Sequence, residues 1–198
     1  MVRFWDQIKE RRKLPVGERL DAFDEALWKT FGREVAIMFT DLSGFTKLSN
    51  QYGIEEFLCV IQSSHELFDP EIERFGGNAL MKKGDSYLIL FDKVEMAAEC
   101  AVAMQNATLE HNKVVEEHRQ VHLCLGIGVG RSLVIDDKDV YGAEVNLASK
   151  VGEDIAEQGE ILLTAKARVK LESSKFKAQI ESAGDRDIIG EIYKLNWR

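Results

Sequence analysis

Val35-Ala36-Ile37-Met38-Phe39-Thr40 is an apolar run bounded by Glu34 and Asp41, and no other feature limits the fold of this chain so tightly. It is too short for a buried helix and lacks the alternation of a strand with one wet face. It therefore predicts a central strand covered on both sides. The residues that follow supply the cover. After a Leu42-Ser43-Gly44 turn, helical segments run from Phe45 to Phe75, with a break expected at Pro70, where Asp69 would cap a fresh turn. Gly76-Gly77 ends them. Asn78 to Lys82 and Ser86 to Phe91 flank Lys83-Gly84-Asp85 and read as a hairpin turned at Gly84. Asp92, with Glu95 three residues on, is expected to cap a helix reaching about His118, and Val121 to Val129 forms the next strand.

Strand, helices, strand, strand, helix, strand is the βαββαβ order of a ferredoxin-like sheet, which makes this an α+β domain. Beyond it the pattern predicts a strand near Leu133 to Asp136, a helix near Gly142 to Ile155 and a strand from Glu160 to Thr164. A terminal pair is expected around Lys177 to Ile180 and Glu191 to Trp197. Ahead of the domain, Val16, Leu20, Phe23, Leu27 and Phe31 make one stripe on a helix opened by Pro15, which would pack on its own domain or on a partner subunit. The chain thus divides into a helical segment, 1–33, and a main domain, 34–198.

Composition excludes several classes of function. A net charge of −8 without a basic stripe argues against a nucleic-acid partner. The longest apolar stretches fall far short of the roughly 20 residues that cross a bilayer, so no membrane span is expected, and the first residues lack a signal-peptide core. A cytoplasmic location is the expectation. Cys59, Cys100 and Cys124 are widely spaced among apolar residues and are expected to be buried thiols, with neither a disulfide framework nor a zinc site. The four histidines likewise lack metal-ligand spacing.

Two aspartates carry the chemistry. Asp41 closes the first strand and Asp85 sits in the hairpin turn, places that a ferredoxin-like sheet would set side by side. Adjacent carboxylates repel unless a cation lies between them, and hard divalent ions favour oxygen ligands. The small-residue turn Leu42-Ser43-Gly44-Phe45-Thr46 opens a helix and would aim backbone N–H groups at an anion, although the chain has no Walker sequence. Gly126, Gly128 and Gly130 lie in an apolar strand, where close helix packing explains them better than phosphate binding. Asn146 and Lys150, four residues apart, share a helix face away from the apolar residues Val145, Ala148, Val151 and Ile155.

Phe39-Thr40-Asp41-Leu42-Ser43-Gly44-Phe45-Thr46, then Gly84-Asp85-Ser86-Tyr87, then Tyr141-Gly142 with Val145-Asn146-Leu147-Ala148-Ser149-Lys150, resemble the successive signatures of class III adenylate and guanylate cyclases. The resemblance runs from about Val35 to Thr164. It implies a nucleotide cyclase catalytic domain that forms homodimers with shared active sites and turns a nucleoside triphosphate into a 3′,5′-cyclic monophosphate and pyrophosphate. By the same resemblance, Asp41 and Asp85, with the Leu42 carbonyl, would hold two divalent ions, Mg²⁺ or Mn²⁺. Ser43 and Gly44 shape the phosphate turn, and the Phe45 and Thr46 amides meet the β- and γ-phosphates. Asn146 would steady the ribose, Lys150 stands where an arginine usually stabilises the α-phosphate, and Arg131 falls where some members bind pyrophosphate.

Asp139 falls where adenylate cyclases accept the adenine amino group, which favours ATP. Met81 occupies the place of a purine-reading lysine or glutamate, and a thioether donates no strong hydrogen bond. Lys82 and Lys83 are outside that register, and strand alternation sends one to each face. Two alternatives remain open: a degenerate cyclase fold that binds nucleotide or signals without turnover, and a cyclase for GTP or a pyrimidine triphosphate. An aspartyl phosphatase is ruled out because Ser43 replaces the second acid of its D-x-D motif. A diguanylate cyclase would carry a different turn from Lys83-Gly84-Asp85-Ser86.

Overall fold

The apolar run is the middle of a longer strand. In the computed structural model, which describes residues 3–185 and 189–198, with backbone only at Glu18, Arg19, Phe45, Ala178 and Asp185, β1 spans Gly32–Leu42. Its polar start is held in the ladder because Gly32, Arg33 and Glu34 pair with Leu133, Ser132 and Arg131 of the antiparallel neighbour β4, Leu123–Ile135. Around β1 lie β2, Asn78–Lys83, and β3, Ser86–Phe91, followed by β5, Asp139–Tyr141, and β6, Ile161–Thr164. The last two strands are β7, Ile180–Asp185, and β8, Glu191–Leu195. The sheet order is β2-β3-β1-β4-β6-β8-β7, with β5 on β4. Its first four strands are ordered as in a ferredoxin-like sheet, as expected, and among the described residues only the β4–β6 pair is parallel.

Alternation along β1 separates two faces. Ala36, Met38 and Leu42 point to a large core with Phe68 and Met104, which come from the helices α4, Ile54–Arg74, and α5, Val94–Asn112. Val35, Ile37 and Phe39 point the other way, towards Val145 and Ala148 of α6, Ala143–Ser149. A helix α7, Ala165–Leu171, joins the first face; it was not anticipated, and Thr164 caps it by accepting from the Ala167 N–H at 3.3 Å.

Several local expectations give way. Pro70 does not break α4, because the residue is exposed and its missing N–H leaves only a solvent-side carbonyl without a partner. Helix α3, Phe45–Tyr52, is instead divided from α4 at Gly53. The Asp69 side chain takes hydrogen bonds from Lys82 and Tyr87 in place of a cap. Asp92 does not cap α5, whose N-cap is Lys93 without a side-chain bond, and the helix stops at Asn112. The strands expected at Val121–Val129 and Leu133–Asp136 are one, since Gly130, Arg131 and Ser132 stay paired with β1. The late strand pair begins at Ile180. Cys100 and Cys124 are buried, but Cys59 is exposed, because α4 turns it away from the core that holds Phe57 and Val60.

The N-terminal stripe forms α2, Glu18–Phe31, preceded by an unanticipated α1, Phe4–Arg11. Pro15 and Val16 lie outside both, and Val16 is 95% exposed. Phe4 and Leu27 bury against Ile135 at the far end of β4, and Arg11 grips Asp24 through Nε and Nη2 at 2.6 and 2.8 Å.

Helix α6 continues through a π-helical turn, Lys150–Ile155, that lies directly on the sheet. A Cβ on Gly126 would come within 2.3 Å of the Gly152 nitrogen and 2.6 Å of the Ala148 oxygen. The glycine strand therefore does serve close helix packing. Backbone cannot yield as a rotamer can, so Gly126→Ala is expected to lower stability by about 3 kcal/mol. The measurement is the denaturant midpoint at unchanged m-value.

Candidate active site

The end of β1 collects acidic groups on the α6 face. Asp41 follows Phe39 on that face, stands opposite Cys124 of β4, and lies near Ser86 at the start of β3 and the Leu42 backbone, both of which favour its charged form. The β2–β3 turn brings Asp85 beside it. Gly84 takes the left-handed backbone this turn needs, at φ +59°, and its carbonyl is bound by His65 Nε2 at 3.1 Å. Burial first, then the charges of Asp85 and Glu153, push the Asp41 carboxyl up to about 6. The Cys124 thiol is pushed up to about 12 by burial and by the charge of Asp41.

Glu153 escaped the sequence reading. It arrives through the π-helical turn, whose Gly152 sits against Gly126 and the Phe39 carbonyl, and its carboxylate accepts from Ser149 Oγ. Nothing in the local sequence marks a switch from α- to π-helical winding; only the Gly126–Gly152 pairing hints at it.

Among the described residues no three His, Cys, Asp or Glu side chains form a metal-binding group. Two neighbouring carboxylates and a carbonyl are nevertheless the donor set that suits Mg²⁺, which keeps several waters and shares its ligands with substrate phosphates. Burial and the neighbouring carboxylates both disfavour the charged form of Asp41, and a divalent cation would offset both.

After Asp41 the chain turns through Leu42, Ser43 and Gly44 into α3. The Ser43 N–H is bonded to the His122 carbonyl at 2.9 Å and is not free for an anion. No side chain caps α3, so the first-turn amides at Phe45 and Thr46 have no intrahelical partner. The Phe45 side chain lies outside the described residues.

The other expected residues stand apart. Asn146 and Lys150 are exposed on the outer side of α6 and its continuation, with Lys150 Nζ 3.0 Å from Asp154. Met81 faces the α6 side and packs with Leu80 and Leu88. Asp139, on β5, takes hydrogen bonds from the Val140 N–H and the Tyr141 hydroxyl, and Tyr141 stacks on Phe4 of α1 at 6.2 Å. Arg131 is not brought to the aspartates. It lies seven positions along β4 from Cys124, roughly 23 Å of strand, and Trp28 of α2 holds it by its carbonyl at 3.0 Å and its ring at 5.2 Å.

A family profile described as the adenylate and guanylate cyclase catalytic domain matches residues 29–195. The chain is 26% identical over 132 residues to a putative adenylate cyclase 3 of Rhizobium meliloti, covering 67% of this chain and 22% of that protein. It is also 26% identical over 163 residues to the serine/threonine-protein kinase pkn2 of Myxococcus xanthus, covering 82% and 19%. The chain thus spans about a fifth of the length of these curated relatives. Its fold matches the crystal structure of an adenylate/guanylate cyclase/hydrolase from Silicibacter pomeroyi, with a TM-score of 0.72, 22% identity, and coverage of 83% of this chain and 96% of that one.

The raised Asp41 carboxyl has a consequence for the metal-free protein. Its contribution to stability is full below the unfolded value near 4 and is lost as pH rises through the folded value of about 6. For a half-buried group, solvent screening reduces the loss to about 1 kcal/mol. In chelator, melting temperature should therefore fall across this interval, and Asp41→Asn should remove that fall and melt higher at neutral pH.

Proposed function

Because the chain belongs to the adenylate and guanylate cyclase catalytic-domain family, we propose that it converts a nucleoside triphosphate, ATP by preference, to the 3′,5′-cyclic monophosphate and pyrophosphate. The observation that carries this reading is the side-by-side placement of Asp41 and Asp85 at the mouth of an uncapped helix. Asp41, Asp85 and the Leu42 carbonyl would hold two divalent ions, Mg²⁺ or Mn²⁺. When bound, such ions supply Lewis acidity towards the ribose 3′-hydroxyl and charge neutralisation for the triphosphate.

The remaining work falls to the chain's own groups. The Phe45 and Thr46 amides receive the β- and γ-phosphates, with the positive end of α3 behind them. Asn146 fixes the ribose so that attack on the α-phosphorus is intramolecular. Lys150 takes the charge developing on the α-phosphate; its present partner Asp154 is exposed and holds it weakly. A lysine offers a point charge in place of an arginine's planar fork. Asp139 keeps lone pairs beyond its two intrachain hydrogen bonds and accepts from the adenine amino group. Arg131 stays outside the proposal because Trp28 engages it.

One chain keeps Asp139 and Asp41 at opposite ends of the β1–β4 ladder, which supports a two-fold homodimer in which each site takes its aspartates from one subunit and Asp139 from the other, with Asn146 and Lys150 assigned to that second subunit by the family resemblance. A nucleotide-binding domain without turnover is the second reading, favoured by Met81 and Lys150.

Purified protein supplied with each of the four triphosphates and either metal, with chromatography of the products, tests the reaction. Asp41→Ala and Asp85→Ala should each cut cyclic AMP formation by at least about 100-fold while the fold persists. Unaltered turnover in either variant would sink the metal assignment. In the shared site, Asp41→Ala and Asn146→Ala homodimers should both be nearly inactive. Random subunit exchange between them makes about half of the dimers mixed, each with one intact site of two, so activity should recover to roughly a quarter of wild type. Mixed dimers as inactive as their parents would place the whole site within one chain.

A further inference from the structure

One row of side chains crosses the sheet beside the aspartates. Lys83 of β2 pairs with Ser86 of β3, and Ser86 stands beside Asp41 of β1, one position on from the Thr40–Tyr87 pair. The neighbouring Lys82 goes to the opposite face, where its Nζ lies 2.5 Å from Asp69 of α4 and over the Tyr87 ring. Alternation therefore puts Lys83 on the face of Met81 and Asp41. Lys83 is exposed, and among the described residues no ion pair or hydrogen bond holds its ammonium. Two strand spacings put its backbone roughly 10 Å from that of Asp41, and a four-carbon stem of roughly 6 Å covers much of that distance.

The phosphate turn leans the other way. Ser43 is bonded to His122 at the start of β4, on the far side of β1 from β2. A nucleotide whose triphosphate lay at that turn and over Asp41 would have β2 on the side away from its phosphates. We propose that Lys83 contacts the base of the substrate held by the aspartates of its own chain, supplying the donor that Met81 lacks. An ammonium only donates, so its partner is a ring nitrogen or carbonyl oxygen of the base.

This inference rests on the cyclase reading, and the experiment separates the two. With Mn²⁺ present, the wild-type chain and Lys83→Met are titrated with α,β-methylene-ATP and with tripolyphosphate, which has no base. Lys83→Met should bind the analogue roughly tenfold more weakly and tripolyphosphate unchanged, at an unaltered melting temperature. KM for ATP should rise by the same factor with kcat nearly constant, and Lys83→Arg should restore most of the loss. Equal analogue affinity in Lys83→Met overturns the assignment, as does an equal loss for tripolyphosphate, which would put the ammonium on the phosphates. A wild type that binds neither probe overturns the cyclase reading and this inference together.

Discussion

Where Gly126 of β4 meets Gly152 of the π-helical turn, backbone touches backbone with no room for a side chain. That contact sets the height of α6 above the sheet and therefore what the α6 face can present. Glu144 lies under the same stack, within 2.5 Å of where a Cβ on Gly130 would stand, and is held by Lys166 and Thr164. A buried carboxylate needs such partners to remain in place. Close packing then fixes the phase of the helix: Val145 and Ala148 face the strands, and Asn146 and Lys150 face outwards. It also carries Glu153 to the end of β1.

The aspartate end of β1 is built against its own stability. Asp41 is half-buried, faces two other carboxylates and, among the described residues, has no cationic side chain acting on it. Perturbed carboxylates of this kind cluster at functional sites. The turn carrying Asp85 is meanwhile held from behind: His65 binds the Gly84 carbonyl, Tyr87 packs against the His65 ring, and Asp69 joins Tyr87 to Lys82. Asp41 faces one side of the sheet, and the bracing behind the Asp85 turn, Asp69 included, faces the other.

The opposite end of the same ladder belongs to the N-terminal helices. Trp28 engages Arg131, and Phe4 stacks on Tyr141, which is bonded to Asp139. The two ends of β4 thus carry different partners.

The sequence by itself determined the order of the first four strands, the hairpin around Gly84 and the role of the glycine strand, and it pointed to Asp41 and Asp85 as neighbours. Each follows from local pattern: a short apolar run, a turn glycine, small residues in a strand. It misjudged Pro70, Asp92, Pro15 and the exposure of Cys59, where a local signal had several physical outcomes and the surroundings chose. Pro70 is tolerated because its helix face is wet, and β4 runs unbroken because β1 pairs with its polar middle. Only tertiary structure decided that Glu153 joins the aspartates, that Ser43 is bonded to His122, that Trp28 holds Arg131 and that Lys83 shares a face with Asp41. Those outcomes depend on contacts between residues far apart in the chain, and no local periodicity records which distant backbone or side chain will be the neighbour.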